Sequence, residues 1–137
     1  MVFAANISNE AVAALEAVQF DGQIEVVENA AALDAACDYL SKESLVGFDT
    51  ETRPSFTAGV TNKGSLLQLS GGDRCFLIRL NRVSMSRKLL ALLQNPAIEK
   101  IGAAVQNDIV SLNALRRFKA CGFVDLQSIV SDYGIED

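Results

Sequence analysis

Ser44-Leu45-Val46-Gly47-Phe48-Asp49-Thr50-Glu51-Thr52-Arg53-Pro54 is an apolar run that closes on two carboxylates and a proline. A short, continuously apolar stretch of this kind reads as a central β-strand, and Pro54, which has no N–H to give, forbids further ladder pairing. Side chains alternate across a strand. Leu45, Gly47, Asp49 and Glu51 therefore share one side, while Val46, Phe48 and Thr50 share the other. Asp49 and Glu51 project together with their Cα atoms about 6–7 Å apart, a span from which two carboxylates reach one metal ion or a pair of ions about 3.5–4 Å apart. Two like charges this close need a cation.

Upstream of this run, residues 24–28 read as a strand. Residues 29–40 read as an alanine-rich helix with Leu33, Ala36, Cys37 and Leu40 on one stripe. Ala11, Val12, Leu15 and Val18 recur at helical spacing behind Ser8, a candidate N-cap, so residues 8–20 read as an appended helix. The division drawn is an N-terminal helical extension over residues 1–21 and a single domain over residues 22–137.

Downstream comes a loop rich in Gly, Thr and Asn. Two apolar runs, 65–70 and 74–78, then flank Gly71-Gly72-Asp73 and give a β-hairpin signature. Leucines at 89, 90, 92 and 93 mark a helix over 86–94 that stops at Asn95-Pro96. A short strand at 98–102, a helix from about 103 to 118, a last strand at 123–126 and a helical stub complete the chain. Three largely antiparallel strands followed by alternating helix and strand predict an α/β fold, a mixed sheet of about five or six strands with helices on both faces.

Composition narrows the chemistry. The chain has 137 residues, 50% of them hydrophobic, enough for one domain with a real core. No apolar run approaches the roughly 20 residues that span a bilayer, and the first residues lack the positive charge that opens a secretion signal, so a cytoplasmic location and no membrane partner are expected. Three widely spaced cysteines, Cys37, Cys75 and Cys121, fit neither a disulfide framework nor a paired-cysteine metal site. There is no histidine, which leaves carboxylates as the available polar chemistry and favours Mg²⁺ or Mn²⁺ as a metal. A net charge of −5 excludes holding nucleic acid mainly by a basic surface.

Asp108 is the third carboxylate that asks for an explanation. On the helix after Gly102, a turn of about 100° per residue puts Val105, Ile109 and Leu112 on one stripe with Leu115 at its edge, and Asp108 falls between them. A carboxylate on a core-facing surface is costly unless it is paired or bound to metal. Two partners suggest themselves: the cation of Asp49 and Glu51, or Arg116, which drifts toward the same stripe and whose stem could snorkel.

Val46-Gly47-Phe48-Asp49-Thr50-Glu51-Thr52, followed by Leu66-Leu67-Gln68-Leu69, resembles the first exonuclease motif of the ribonuclease D and Werner-type branch of the DEDD 3'-5' exonucleases. Lys100-Ile101-Gly102-Ala103-Ala104-Val105-Gln106-Asn107-Asp108-Ile109-Val110-Ser111-Leu112 is similar to the second motif, and Phe123-Val124-Asp125-Leu126 to the stretch after it. The resemblance implies a ribonuclease H-like fold and hydrolysis of the terminal phosphodiester at a nucleic-acid 3' end by two Mg²⁺ or Mn²⁺ ions. It implies that Asp49 bridges both ions, Glu51 binds the water-activating one and Asp108 the other. Backbone groups of Thr50 and Thr52, with Leu67 or Gln68 nearby, would grip the terminal nucleotide, and Asn107 would face it; each also reads as ordinary strand, loop or helix-start packing. Arg79, Arg82, Arg87 and Lys88, or Arg116, Arg117 and Lys119, could touch phosphates, with solvated faces the plainer reading.

The family completes its site with a fourth carboxylate on a later helix, preceded by Tyr or His. Tyr133-Gly134-Ile135-Glu136-Asp137 has the Tyr-x3-Asp spacing, but it follows Asp108 closely, Gly134 weakens a helix, and a terminal residue is poorly held. The expectation is therefore that the C-terminal part of the domain is missing and that turnover by this chain is in question. Two rivals stand beside this reading. One is a phosphatase of the haloacid dehalogenase type, with Asp49 as nucleophile. The other is a non-catalytic nucleic-acid-binding or protein-interaction module.

Overall fold

A computed structural model describes residues 3–52, 58–59 and 64–136. Its elements are α1 (Asn9–Ala13), β1 (Gln23–Val27), α2 (Ala30–Leu40), β2 (Leu45–Thr52), β3 (Gly64–Ser70), β4 (Arg74–Arg79), α3 (Arg87–Gln94), β5 (Glu99–Gly102), α4 (Val105–Leu115), β6 (Phe123–Asp125) and α5 (Leu126–Ile129), then a 3-10 turn at Val130–Tyr133. The strand stop read at Pro54 and most of the loop after it lie outside the described residues.

The strands form one mixed sheet in the order β1-β4-β3-β2-β5-β6. Tight glycine turns can only reverse a chain, and β3 accordingly runs antiparallel to β4, closed by a 2.9 Å bond from Gly71 N to Arg74 O. β2 is antiparallel to β3, with Asp49 opposite Gln68, Thr50 opposite Leu67 and an irregularity between Glu51 and Thr52. Parallel neighbours need a longer crossover; β6 lies parallel to β5 across α4, β5 parallel to β2, and β1 parallel to β4.

Val46 and Phe48 of β2, Leu67 and Leu69 of β3, and Phe76 and Ile78 of β4 are all buried on one face. There they meet the expected α2 stripe of Leu33, Ala36, Cys37 and Leu40, the leucines of α3, and Val105 and Leu112 of α4 in a single core. Asn29 Oδ1 caps α2 through Ala32 N at 2.8 Å, and Ser86 Oγ caps α3 through Leu89 N at 3.2 Å. The three longer helices thus gather on the Val46–Phe48–Thr50 side instead of being divided between both faces as expected. Ile24 and Val26 of β1 and Leu45 of β2, on the opposite alternation, are exposed.

α1 is shorter than its sequence period suggested. It covers Asn9–Ala13, buries no residue, and is capped by Ser8 Oγ through Ala11 N at 3.1 Å. Helical spacing without a surface to pack on leaves a helix marginal. Phe3 N donates to Tyr133 O at 2.9 Å and Glu136 N to Ala5 O at 2.8 Å, so the N-terminal segment is strapped to the turn after α5.

Lys100 of β5 is wholly buried, the one charged side chain among the described residues that is. Its Nζ donates to Leu92 O at 3.1 Å and Asn95 O at 2.8 Å, and stands 5.3 Å from the Phe123 ring centre. The ammonium therefore answers the carbonyl end of α3, where a positive charge is favoured, and pins that helix to β5 and β6. Burial pushes its pKa below the usual 10.5.

Candidate functional site

β5 passes through Gly102 into α4. A Cβ at Gly102 would stand 2.5 Å from Phe48 O and 2.9 Å from Val105 Cγ1, so the absence of a side chain lets the helix start lie against β2. Ala104 then takes the left-handed conformation, φ 54° and ψ 45°, the one non-glycine with positive φ among the described residues. That conformation costs an L-residue about 1–2 kcal/mol, and Ala104 has no side chain with which to cap α4.

The cap comes from elsewhere. Asp125, at the end of β6, accepts from Ala104 N at 3.0 Å through Oδ1 and from Val105 N at 3.3 Å through Oδ2. It satisfies donors that a helix start otherwise leaves open and sets a negative charge at the positive end of α4. Asp108 follows in the first turn.

The Asp108 carboxylate accepts a hydrogen bond from the Thr50 hydroxyl across the packing of α4 on β2. Burial raises its pKa above the usual 3.8, the Thr50 bond pulls it back, and the negative charge of Asp49 pushes it up again. Asp49 is thus within electrostatic reach, and its own Oδ1 accepts from Thr50 N at 2.9 Å. Arg116 is elsewhere: its Nη1 donates to Met85 O at 2.6 Å, so the alternative partner for Asp108 is spoken for.

The three expected ligands do not form one cluster. Among the described residues no group of three or more His, Cys, Asp or Glu side chains stands close enough to hold a metal ion. Strand alternation is the reason. Asp49 and Glu51 leave β2 on one side, and α4 presents Asp108 on the side of Thr50. The structure joins Asp49 and Asp108 around Thr50, with Glu51 exposed two residues further along β2.

Gln68, opposite Asp49, shares its face, and the two line an open depression of about 290 Å³ with Gly47, Ser70, Cys75 and Ile101. Leu67 is wholly buried in the core, so its side chain is not presented to a ligand. Thr52 and Asn107 are both exposed, Asn107 next to Asp108 on α4. Arg79 pairs with Glu28 at 2.8 Å and Lys88 with Asp38 at 2.9 Å on solvated surfaces. Tyr133 packs against Phe3, ring centres 6.1 Å apart, and Asp137 lies outside the described residues. Three contributors were not assigned from sequence: the Thr50 hydroxyl, Asp125 and Lys100. An aspartate directly before a helix signals a local cap, which Asp125 also provides through Gln127 N at 3.0 Å, but its reach to α4 is non-local.

The model of the 3'-5' exonuclease family matches residues 24–133. This chain belongs to that family. It is 31% identical over 97 residues to the bifunctional 3'-5' exonuclease/ATP-dependent helicase WRN of Mus musculus, a match that spans 68% of this chain and 7% of that protein. The exonuclease domain of Aedes aegypti Nibbler superposes with a TM-score of 0.72 at 21% identity, covering 86% of this chain and 60% of that one. The EXD2 exonuclease domain does so with a TM-score of 0.72 at 24% identity, covering 81% and 60%. The shared fold is the ribonuclease H-like one, and this chain spans about three-fifths of these solved domains. The phosphatase rival is set aside by the family match.

Proposed function

We propose that this exonuclease domain holds Mg²⁺ or Mn²⁺ between Asp49 and Asp108, with Glu51 as a further ligand, and acts on a nucleic-acid strand with a free 3' end. The observation that carries this reading is that Thr50 bonds both carboxylates, its amide donating to Asp49 and its hydroxyl to Asp108. A carboxylate raised chiefly by burial and further by a second carboxylate nearby is one that a cation stabilises, and hard oxygen donors suit Mg²⁺ and Mn²⁺. Asp49 and Asp108, with Glu51, would hold the ions, Asp49 serving both, Glu51 the one that activates water and Asp108 the other. Such ions, when bound, lower the pKa of water and polarise the phosphoryl oxygens.

The chain's own residues supply the positioning. The Thr50 hydroxyl holds Asp108 against β2, Gln68 flanks Asp49, and exposed Thr52 and Asn107 stand where a terminal nucleotide would meet the rim. The net negative charge keeps strand contact local. Two neighbours support the reading: the EXD2 domain was solved after soaking in Mn, and Trypanosoma brucei RNase D was solved with RNA U12. Three unpaired cysteines fit a reducing compartment such as the cytoplasm.

The test is shortening of 5'-labelled strands in Mn²⁺ by the wild type, Asp49→Ala and Asp108→Ala. Outer-shell substitutions at metal sites cost about 10–100-fold, so loss of a direct ligand should exceed about 100-fold. Equal shortening by all three proteins discards the assignment. A second reading, a non-catalytic binding module, draws on the absence of a three-ligand cluster among the described residues. It requires strand binding without shortening, unchanged by either substitution.

A further inference from the structure

We infer that Asp125 is a positioning residue for this site: from β6 it clamps the start of α4 and thereby sets where Asp108 stands relative to Thr50 and Asp49. The inference rests on the metal-binding reading of Asp49 and Asp108.

Both carboxylate oxygens of Asp125 are engaged. Oδ1 accepts from Ala104 N and from Gln127 N, each at 3.0 Å, and Oδ2 accepts from Val105 N at 3.3 Å. One side chain thus joins the first amides of α4 to those of α5. Register explains the reach: Asp125 pairs with Gly102 across the parallel β5–β6 ladder, beside the turn into α4.

The clamp matters because α4 has nothing local to replace it. Ala104 is left-handed and makes no side-chain cap bond. Asp108 lies three residues beyond Val105, within one turn of the clamped amides, so any tilt or fraying of that turn moves its carboxylate directly. Productive metal geometry tolerates displacements of only about 0.5 Å. Asp125 touches no part of the Asp49–Thr50–Asp108 group in the described hydrogen bonds and acts through the helix.

The test uses the full chain and Mn²⁺ alone, titrated by electron paramagnetic resonance, with the metal-free protein followed by NMR. Asp125→Ala should weaken Mn²⁺ affinity by about tenfold, the scale of outer-shell effects, and should move the Thr50 methyl and Asp108 amide resonances without metal. Asp125→Asn keeps an oxygen for Ala104 N but sets an amide N–H against Val105 N, so it should move both readouts in the same direction as Asp125→Ala and by less. Leu33→Ala, in the α2 core, lowers stability and should leave both readouts unmoved, which separates positioning from general loosening. If Asp125→Ala does not fold, Asp125→Asn decides, through faster hydrogen exchange at Val105 N together with a smaller shift at Asp108. Wild-type affinity and unmoved Thr50 and Asp108 resonances in a folded Asp125→Ala protein overturn the inference. If the wild type binds Mn²⁺ no better than Asp49→Ala does, the metal reading fails, and the metal-free resonances still decide the clamp.

Discussion

Lys100 gives the most quantitative test of how this fold is held. Its stem is wholly buried, and its ammonium bonds two carbonyls at the end of α3. Lys100→Ala removes three methylenes, about 2.4 kcal/mol at about 0.8 kcal/mol each. It also leaves Leu92 O and Asn95 O short of a donor. Each keeps a backbone partner, Asn95 N and Ile98 N, both at 3.3 Å, so the loss lies near the low end of the usual range, about 1 kcal/mol apiece. The sum is about 4 kcal/mol, offset in part because a charge is no longer buried, for a net loss of about 3–4 kcal/mol. Lys100→Met keeps the stem and removes the charge, so the same terms predict a loss of no more than about 2 kcal/mol.

The pH dependence separates the terms further. The folded pKa of Lys100 is lowered from 10.5. Between the lowered value and 10.5 the unfolded chain is protonated and the folded one is not, so this group makes stability rise with pH by up to about 1.4 kcal/mol per unit. Cys37, raised from 9.0 to about 11, works in the opposite direction above pH 9. The informative quantity is therefore the wild type minus Lys100→Met difference. Urea unfolding from pH 7 to 10 should show the wild type gaining on the variant as pH rises. A Lys100→Met protein as unstable as Lys100→Ala, or a difference that shrinks with pH, refutes the account.

Asp108 carries the opposite linkage. Its folded pKa is raised above 3.8, chiefly by burial, so the folded state holds a proton that the unfolded chain has lost, and stability falls as pH rises through that window. In a chelator, Asp108→Asn should be more stable than the wild type at pH 7 by urea unfolding, the gap closing below pH 3.8; a less stable variant at pH 7 contradicts this. At Gly122, φ is 74° and a Cβ would stand 2.7 Å from Ile98 O and 3.1 Å from Lys100 Nζ. Gly122→Ala should cost about 2–4 kcal/mol through backbone strain and overpacking, and calorimetry showing less than about 1 kcal/mol would dispute that packing.

Local regularities were readable from sequence, and non-local ones were not. The α2 stripe and the cap at Ser8 follow from a 3.6-residue period and from a polar side chain that bonds an amide three residues on. The extent of α1 was misread because periodicity describes a face without supplying anything for it to cover. The start of α4 was placed at 103 and lies at Val105, because its cap is borrowed from β6. Lys100 gave no sign of burial, since the carbonyls that hold it belong to the end of another helix. Asp108, by contrast, stood out as a charge on an apolar stripe, and the family motifs fixed the sheet around it.

The same alternation that groups Asp49 with Glu51 also separates both from α4, so no strand-face logic alone can bring three carboxylates together here. Thr50 resolves the difficulty for two of them. Its amide donates to Asp49 and its hydroxyl to Asp108, so one residue is hydrogen-bonded to a carboxylate on each side of β2. The Asp49–Asp108 pairing consequently depends on three supports: β2 holding Thr50 in register against Leu67, Gly102 admitting α4 to contact, and Asp125 fixing the first turn. None of these need carry charge to a substrate, yet each decides whether the acidic pair can serve one cation. A site assembled in this way puts its chemistry on short local motifs and its geometry on residues far apart in sequence, which is why the motifs were easy to find and their supports were not.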